Sequence, residues 1–192
     1  MSKSAAAANG TLLWGKVPKA NAELFALTYG ALVTEIIRDQ EEDLSKVNEQ
    51  LEQIGYSIGI RCVDEFLAKS NAPYCKTMAE TSEILAKTAF KMFLGINADL
   101  QTHSPTSFSI LFVENPLSLF VELPDNYKDT LEYNILYCGV IRGALEMLNY
   151  KVMVLCWVVV LILPHLPLDK LSQSVLVMKF FMKLFLLQTI LQ

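Results

Sequence analysis

The spacing of apolar residues changes twice along this chain, and the order of the changes restricts its fold class. Three segments within residues 21–94 repeat apolar residues at a helical period. Residues 108–112 and 117–123 instead alternate apolar and polar positions, which is typical of half-buried strands. The helical period returns over residues 130–150. This order predicts an α+β fold, in which amphipathic helices pack with a small antiparallel sheet.

Several residues indicate where the helices begin and end. Asn21 can cap the first helix, and Ser70-Asn71-Ala72-Pro73 ends the second because the residue before proline avoids the helical conformation. Thr77 and Glu80 have the spacing of a capping box, so a third helix is predicted over Thr77–Leu94.

Two pairs of glycines lie one helical turn apart, Gly55 with Gly59 in the second helix and Gly139 with Gly143 in the last. Glycine in the middle of a helix lowers stability relative to alanine. We therefore expect Gly55 and Gly59 to allow close approach of another backbone or of a ligand.

Cys75 lies at the junction between the second and third helices, beside Lys76 and two residues before Thr77. A cation and a helix N-terminus increase thiolate reactivity, so we expect an activated thiol at Cys75. The sequence contains no CxxC, GxxxxGK, HExxH or GxSxG motif, and its two histidines are far apart. These absences favour an attachment point over a catalytic centre or a metal site.

An acyl thioester at Cys75 could run along the apolar face of the third helix. Its eighteen residues would span ~27 Å, longer than an extended sixteen-carbon chain of roughly 20 Å. Burying ~15 methylenes would contribute ~12 kcal/mol before costs. Ala89 and the paired glycines would leave room for the chain. Simple core packing is the alternative for this face, and the residues alone favour that alternative.

Charge divides the chain into a body and a tail. The net charge is −4, and after residue 151 only Asp169, Lys170, Lys179 and Lys183 are charged. The body therefore carries about −6 and the tail about +2, which argues against nucleic acid as a partner. We divide the chain into a flexible leader (1–20), a folded domain (21–151) and an anomalous apolar tail (152–192). No secretory signal begins the sequence, which predicts reduced cytosolic thiols.

The apolar tail allows more than one interpretation. Residues 152–163 would span only ~18 Å as a helix, short of the ~30 Å hydrocarbon core. Residues 171–192 could cross a bilayer by length, but Lys179 and Lys183 near the middle favour an interfacial helix or a buried element. Strands are also possible, because the tail is rich in Val, Leu and Phe.

Several longer stretches carry a resemblance to a known family. They are Glu23–Val33, Gly55–Arg61, Asp64–Asn71, Ala89–Gly95, Phe120–Asp125 and Gly139–Met147. In this order they resemble the Bet-three-type small subunits of the TRAPP (transport protein particle) vesicle-tethering complex, over about two-thirds of the chain. The resemblance implies an α+β fold with an internal acyl-binding tunnel and a palmitoyl-type chain on Cys75. We predict as tunnel-lining residues Gly55, Gly59, Cys62, Leu85, Ala89 and Met92.

The resemblance also implies partners and a cellular role. It implies a homodimer, or a heterodimer with another small TRAPP subunit, formed through the helical face. It further implies a cytoplasmic core subunit of the larger TRAPP complex, peripheral at cis-Golgi and endoplasmic reticulum membranes. That complex tethers vesicles between the two compartments and exchanges nucleotide on a Rab-family GTPase, so the chain alone is predicted to be non-catalytic. The alternatives are a stand-alone acyl-binding or lipid-binding module and a membrane-anchored protein.

The resemblance is expected to end near Lys151. In the family, the last helix leads into a pair of charged strands that complete the sheet. The apolar tail of this chain departs from that pattern, so we attribute it to a frameshift, a retained intron or a diverged gene copy. Completion of the sheet and any role in nucleotide exchange are therefore in doubt at this point.

Overall fold

The computed structural model describes residues 3–104, 107–150, 152–160 and 176–183, which form an α+β fold as predicted. The helices are α1 (Lys3–Lys16), α2 (Ala22–Asp39), α3 (Leu44–Ser70), α4 (Met78–Ile84), α5 (Phe90–Leu94) and α6 (Ile135–Met147), and a π-helical segment (Leu85–Ala89) joins α4 to α5. The strands are β1 (Asp99–Ser104), β2 (Ser107–Phe112), β3 (Met153–Val160) and β4 (Leu176–Lys183).

The predicted ends of the second and third segments agree with the structure. Asn21 caps α2, where its side-chain oxygen accepts a hydrogen bond of 2.8 Å from the backbone N–H of Leu24. Asn71 adopts a left-handed conformation with φ 48° directly after α3, and the chain turns there toward α4. Local capping chemistry therefore fixes these boundaries.

Helices α3 and α6 cross with their backbones in direct contact. A Cβ atom added at Gly55 or Gly59 would overlap the backbone of α6, and one added at Gly139 or Gly143 would overlap the backbone of α3. Because these glycines have no side chain, the backbones of the two helices can touch at both pairs. Of the two explanations that the sequence allowed for Gly55 and Gly59, the approach of another backbone is confirmed.

A four-stranded antiparallel sheet, in the order β1-β2-β4-β3, packs against the helices. Phe108, Ile110 and Phe112 of β2 point into the core, as their alternation predicts. The ring of Phe112 lies 5.6 Å from that of Phe90 and 5.8 Å from that of Tyr137. Strand β2 therefore joins the sheet to both the α4–α5 segment and α6. The polar strand β1 has no apolar alternation and was not predicted.

The strand predicted over residues 117–123 is wrong. Residues 117–120 form turns and 121–123 are irregular, and Leu117 is buried whereas Leu119 is 57% exposed, so they do not share one face of a strand. The side-chain oxygen of Asn115 accepts a hydrogen bond from the backbone N–H of Leu117, and its amide donates to the Asn134 side chain at 2.7 Å. This buried polar network holds the segment against the start of α6.

The tail supplies the two strands whose presence was in doubt. Strand β4 pairs with β2 from Ser107↔Lys183 to Phe112↔Met178, and β3 pairs with the other edge of β4. The possibility of strands is thus confirmed for 153–160 and 176–183, and an interfacial helix is wrong for 176–183. Residues 161–175 and 184–192 lie outside the described residues.

The prediction of a flexible leader over residues 1–20 is also wrong. Residues 3–16 form helix α1, in which Ala6 and Leu13 are buried. The prediction failed because α1 packs through small residues rather than through an apolar stripe of helical period.

Candidate functional site

Cys75 lies in the loop 71–76 between α3 and α4 and lines a pocket of about 250 Å³. The pocket is lined by Pro73, Tyr74, Cys75, Lys76, Glu80, Glu83 and Ile84. The thiol is half-buried and its Sγ lies 3.7 Å from the carbonyl oxygen of Pro73, whereas the neighbouring Tyr74 is 90% exposed. The predicted location of Cys75 at a helix–helix junction is confirmed.

The predicted capping box holds the loop to the start of α4. The hydroxyl oxygen of Thr77 accepts a hydrogen bond from the backbone N–H of Glu80 at 3.3 Å. The Glu80 carboxylate accepts one from the backbone N–H of Lys76 at 2.8 Å. These two bonds fix the backbone immediately after Cys75.

The thiol is not activated in the way that the sequence predicted. Burial raises the pKa of Cys75 above its usual value, a hydrogen bond with Thr81 lowers it by less, and the Glu80 carboxylate adds a smaller upward shift. Burial dominates because desolvation penalises the thiolate directly. The expectation of an activated thiolate at Cys75 is therefore wrong.

Glu83 is a pocket residue that sequence reasoning missed. Its Oε1 is buried and has no hydrogen-bond partner among the described residues. A buried oxygen without a partner costs free energy. Nothing in the sequence pattern distinguishes Glu83 from a solvent-exposed helical glutamate, so only the structure could reveal it.

Of the predicted site residues, only Cys75 is among those that line this pocket. Leu85 and Ala89 are half-buried in the π-helical segment, which follows the lining residue Ile84 in the chain, and Met92 is fully buried in α5. The π-helical turn interrupts what the sequence predicted as one continuous α-helix over Thr77–Leu94, and no local residue pattern indicates it.

The remaining predicted lining residues belong to α3. Gly55 and Gly59 face the backbone of α6, so they leave no space for a ligand there, and their assignment to a tunnel wall is corrected. Cys62 is half-buried, and burial followed by the charge of Glu65 raises its pKa.

Other kinds of site are absent from the described part of the chain. It contains no cluster of three or more His, Cys, Asp and Glu side chains suited to a metal ion. Within the same ranges, none of the helices has the length and hydropathy needed to cross a bilayer.

Comparison with known proteins identifies the family. The model of the transport protein particle (TRAPP) component family matches residues 25–178. The chain belongs to this family of TRAPP components. The match continues past Lys151, where the sequence analysis expected similarity to end, and it includes β3. The Bet-three-type resemblance is confirmed by the relatives that follow.

Two relatives and one solved structure illustrate how similar this TRAPP component is to its family. Trafficking protein particle complex subunit 3 of Dictyostelium discoideum is 52% identical over 145 residues, covering 74% of this chain and 77% of its own. Subunit BET3 of Saccharomyces cerevisiae is 43% identical over 145 residues, with 74% and 75% covered. The crystal structure of a subunit 3 from Naegleria fowleri covalently bound to palmitic acid matches with a TM-score of 0.72 and 42% identity, covering 86% of this chain and 95% of that one.

Proposed function

We propose that this TRAPP component carries a long fatty acyl chain in thioester linkage on Cys75. The observation that carries the proposal is the half-buried thiol in a pocket whose lining extends from the exposed Tyr74 to the buried Ile84. The covalently bound palmitic acid of the similar Naegleria fowleri protein supports the choice of ligand.

The chemistry required is acyl transfer rather than catalysis by this chain. The Sγ of Cys75 bonds to the carbonyl carbon of an acyl thioester donor, and the donor's thiol leaves with the proton that Cys75 gives up. Because burial raises the pKa of Cys75, its thiol ionises less readily than that of an exposed cysteine. Such a thiol attacks slowly and is also a poor leaving group. The thioester, once formed on Cys75, would therefore be lost slowly.

The acyl chain would follow the α4–α5 segment inward. Its seventeen residues span about 25 Å, which exceeds the roughly 20 Å of a palmitoyl chain. Met78 and Met92 are both buried along this segment, and methionine is unbranched and adapts readily to a changed cavity. Movement of these side chains would extend the pocket into a tunnel, with Leu85 and Ala89 beside it.

Intact-protein mass spectrometry tests the acyl chain. Full-length wild type should carry the additional mass of one fatty acyl group, and Cys75→Ser should lose it. Cys62→Ser is the matched control, because Cys62 is also half-buried but lies outside the pocket, and it should keep the mass. A wild-type mass equal to that of the unmodified chain would exclude acylation.

We further propose that the chain dimerises through α2, with a second copy or with another small TRAPP subunit. Tyr29, Val33 and Ile36 of α2 are buried, but Leu24 and Leu27 are 66% and 60% exposed. Phe25 and Leu32 are also exposed on this helix, so an apolar face has no partner within the described chain.

Light scattering after gel filtration tests the dimer. Leu27→Lys should convert the dimer to a monomer, whereas Leu119→Lys should not, since Leu119 is equally exposed but lies on the 113–134 loop. A monomeric wild type would contradict dimerisation and would favour the alternative of a stand-alone acyl-binding module.

The membrane-anchored alternative needs one helix over 171–192, and β4 occupies 176–183 of that segment.

The family membership supports the wider role. We propose a non-catalytic core subunit that acts in the cytoplasm, peripheral at endoplasmic reticulum and cis-Golgi membranes. Vesicle tethering and nucleotide exchange on a Rab-family GTPase would be activities of the assembled complex. A reconstituted complex that exchanges nucleotide equally well without this subunit would contradict the proposal.

A further inference from the structure

Helix α1 packs directly on the π-helical segment that follows α4. The buried hydroxyl of Thr88, in the π-helical segment, donates a hydrogen bond of 2.9 Å to the carbonyl oxygen of Ala6. A Cβ atom added at Gly10 would lie 2.5 Å from the backbone oxygen of Lys87. The two backbones therefore touch, and only glycine fits at position 10 without displacing one of them.

A second contact connects α1 to the Cys75 loop. The side-chain amide of Asn9 donates a hydrogen bond of 3.1 Å to the carbonyl oxygen of Ser70, the last residue of α3. The buried Ser70 hydroxyl in turn accepts one from the backbone N–H of Ala72, inside the loop. Ser70 therefore links α1 to the loop through two hydrogen bonds.

A second cavity lies next to the Cys75 pocket, and Pro73 lines both. A cavity of about 370 Å³ separates part of α1 from the loop, and its lining includes Asn9 and Leu13 on one side and Asn71 and Pro73 on the other. Pro73 also lines the Cys75 pocket. Pro73 therefore lies between the cavity beside α1 and the Cys75 pocket, so a shift of the loop that follows a displacement of α1 would change both.

We infer that α1 is a strap that positions the Cys75 loop, with Asn9 and Gly10 as positioning residues, and that its docking controls how far reagents reach the thiol. The link to acylation rests on the function proposed above, whereas control of access to the thiol does not. When α1 is docked, the loop holds Cys75 half-buried, and when α1 is released, the thiol becomes accessible.

Alkylation of the free thiol by N-ethylmaleimide tests the strap in the full-length chain, after neutral hydroxylamine has removed any acyl group. Gly10→Ala should increase the alkylation rate of Cys75 by roughly fivefold or more, because local opening requires little free energy. Gly15→Ala is the matched control, since a Cβ there meets nothing within 4 Å, and its rate should equal that of wild type. Peptide mapping should show an unchanged rate at Cys62 in all three proteins.

Three further variants separate positioning from general loss of stability. Asn9→Asp keeps the size of the side chain but cannot donate to Ser70, so it should also accelerate alkylation of Cys75. Thr88→Val should also accelerate alkylation of Cys75. Thr88→Ser should keep the wild-type alkylation rate, because it keeps the hydroxyl that donates to Ala6.

The outcomes distinguish this inference from the acylation proposal. Equal Cys75 rates in Gly10→Ala, Asn9→Asp and wild type would overturn the strap, even if intact mass shows an acyl group. A faster rate at Cys62 together with Cys75 would indicate general unfolding and would also overturn it. Selective acceleration at Cys75 supports the strap, whether or not the wild-type chain carries an acyl group.

Discussion

The α3–α6 crossing and the Cys75 loop are held in place by opposite means. At the crossing, backbone lies on backbone at Gly55, Gly59, Gly139 and Gly143, with no side chain between that could adjust. The loop is held by the Thr77–Glu80 capping box and by the hydrogen bond that the Ser70 hydroxyl accepts from the backbone N–H of Ala72. The middle of α3 is therefore part of a rigid frame, while its C-terminal end leads into a segment that can open.

The largest effect is expected at the crossing. Gly139→Ala would place a Cβ atom in overlap with the backbone of Glu52, so unfolding free energy should fall by roughly 3 kcal/mol. Urea denaturation measures it. Gly30→Ala is the control, because its Cβ would make only an ordinary 3.4 Å contact with a side-chain oxygen. A Gly139→Ala protein as stable as Gly30→Ala would remove the distinction between the two regions.

A smaller loss is expected at the loop. Thr77→Ala removes the N-cap of α4 and should lower the unfolding free energy by about 1 kcal/mol. Thr28→Ala is the control, because Thr28 is exposed within α2 and its hydroxyl only donates to the preceding turn, so its loss should be near zero. If Thr77→Ala cost as much as Gly139→Ala, the loop would be as rigid as the frame.

Tyr133 lies beside Gly30 and gives the well-packed region a pH dependence. Its buried hydroxyl has no hydrogen-bond partner among the described residues, and burial raises its pKa from 10.0 to about 12. The raised pKa contributes stability that is present below pH 10 and is lost as the pH rises through about 12.

Removing that hydroxyl should therefore have a small, pH-dependent effect. Tyr133→Phe should be neutral or stabilising by less than about 1 kcal/mol at pH 7, and should lose less stability than wild type between pH 10 and 12. Chemical denaturation at several pH values measures both. Identical alkaline profiles for the two proteins would contradict the assigned pKa.

The smallest effect concerns reactivity rather than stability. Glu80→Gln removes the charge that raises the pKa of Cys75 but keeps an oxygen for the Lys76 N–H, so alkylation at neutral pH should rise roughly twofold to threefold. Glu65→Gln should instead accelerate Cys62, whose pKa the Glu65 charge raises. Rates that do not change, or change at the wrong cysteine, would contradict this electrostatic account.

The sequence predicted the features that local chemistry determines. The caps at Asn21 and Thr77, the glycine pairs and the position of Cys75 all follow from residue types at short spacing. The raised pKa of Cys75 could not be predicted, and neither could the Glu83 oxygen that lacks a partner among the described residues, because burial depends on residues distant in the sequence.

Longer-range structure explains the other errors. The alternation over 117–123 imitates a strand, but β2 pairs with β4 instead, about 70 residues further along the chain. Helix α1 packs through Ala6 and Gly10, whose small size gives no hydrophobic pattern.

The order of the sheet has a consequence for synthesis on the ribosome. Strand β2 is complete at Phe112, but its neighbour β4 begins only at Leu176. At a translation rate of about 5 to 20 residues per second, the edge of β2 that receives β4 waits about 3 to 13 s for its partner. An unpaired strand edge can add a strand from another chain. Until β4 emerges, this edge of β2 in the nascent protein is therefore open to pairing with another chain.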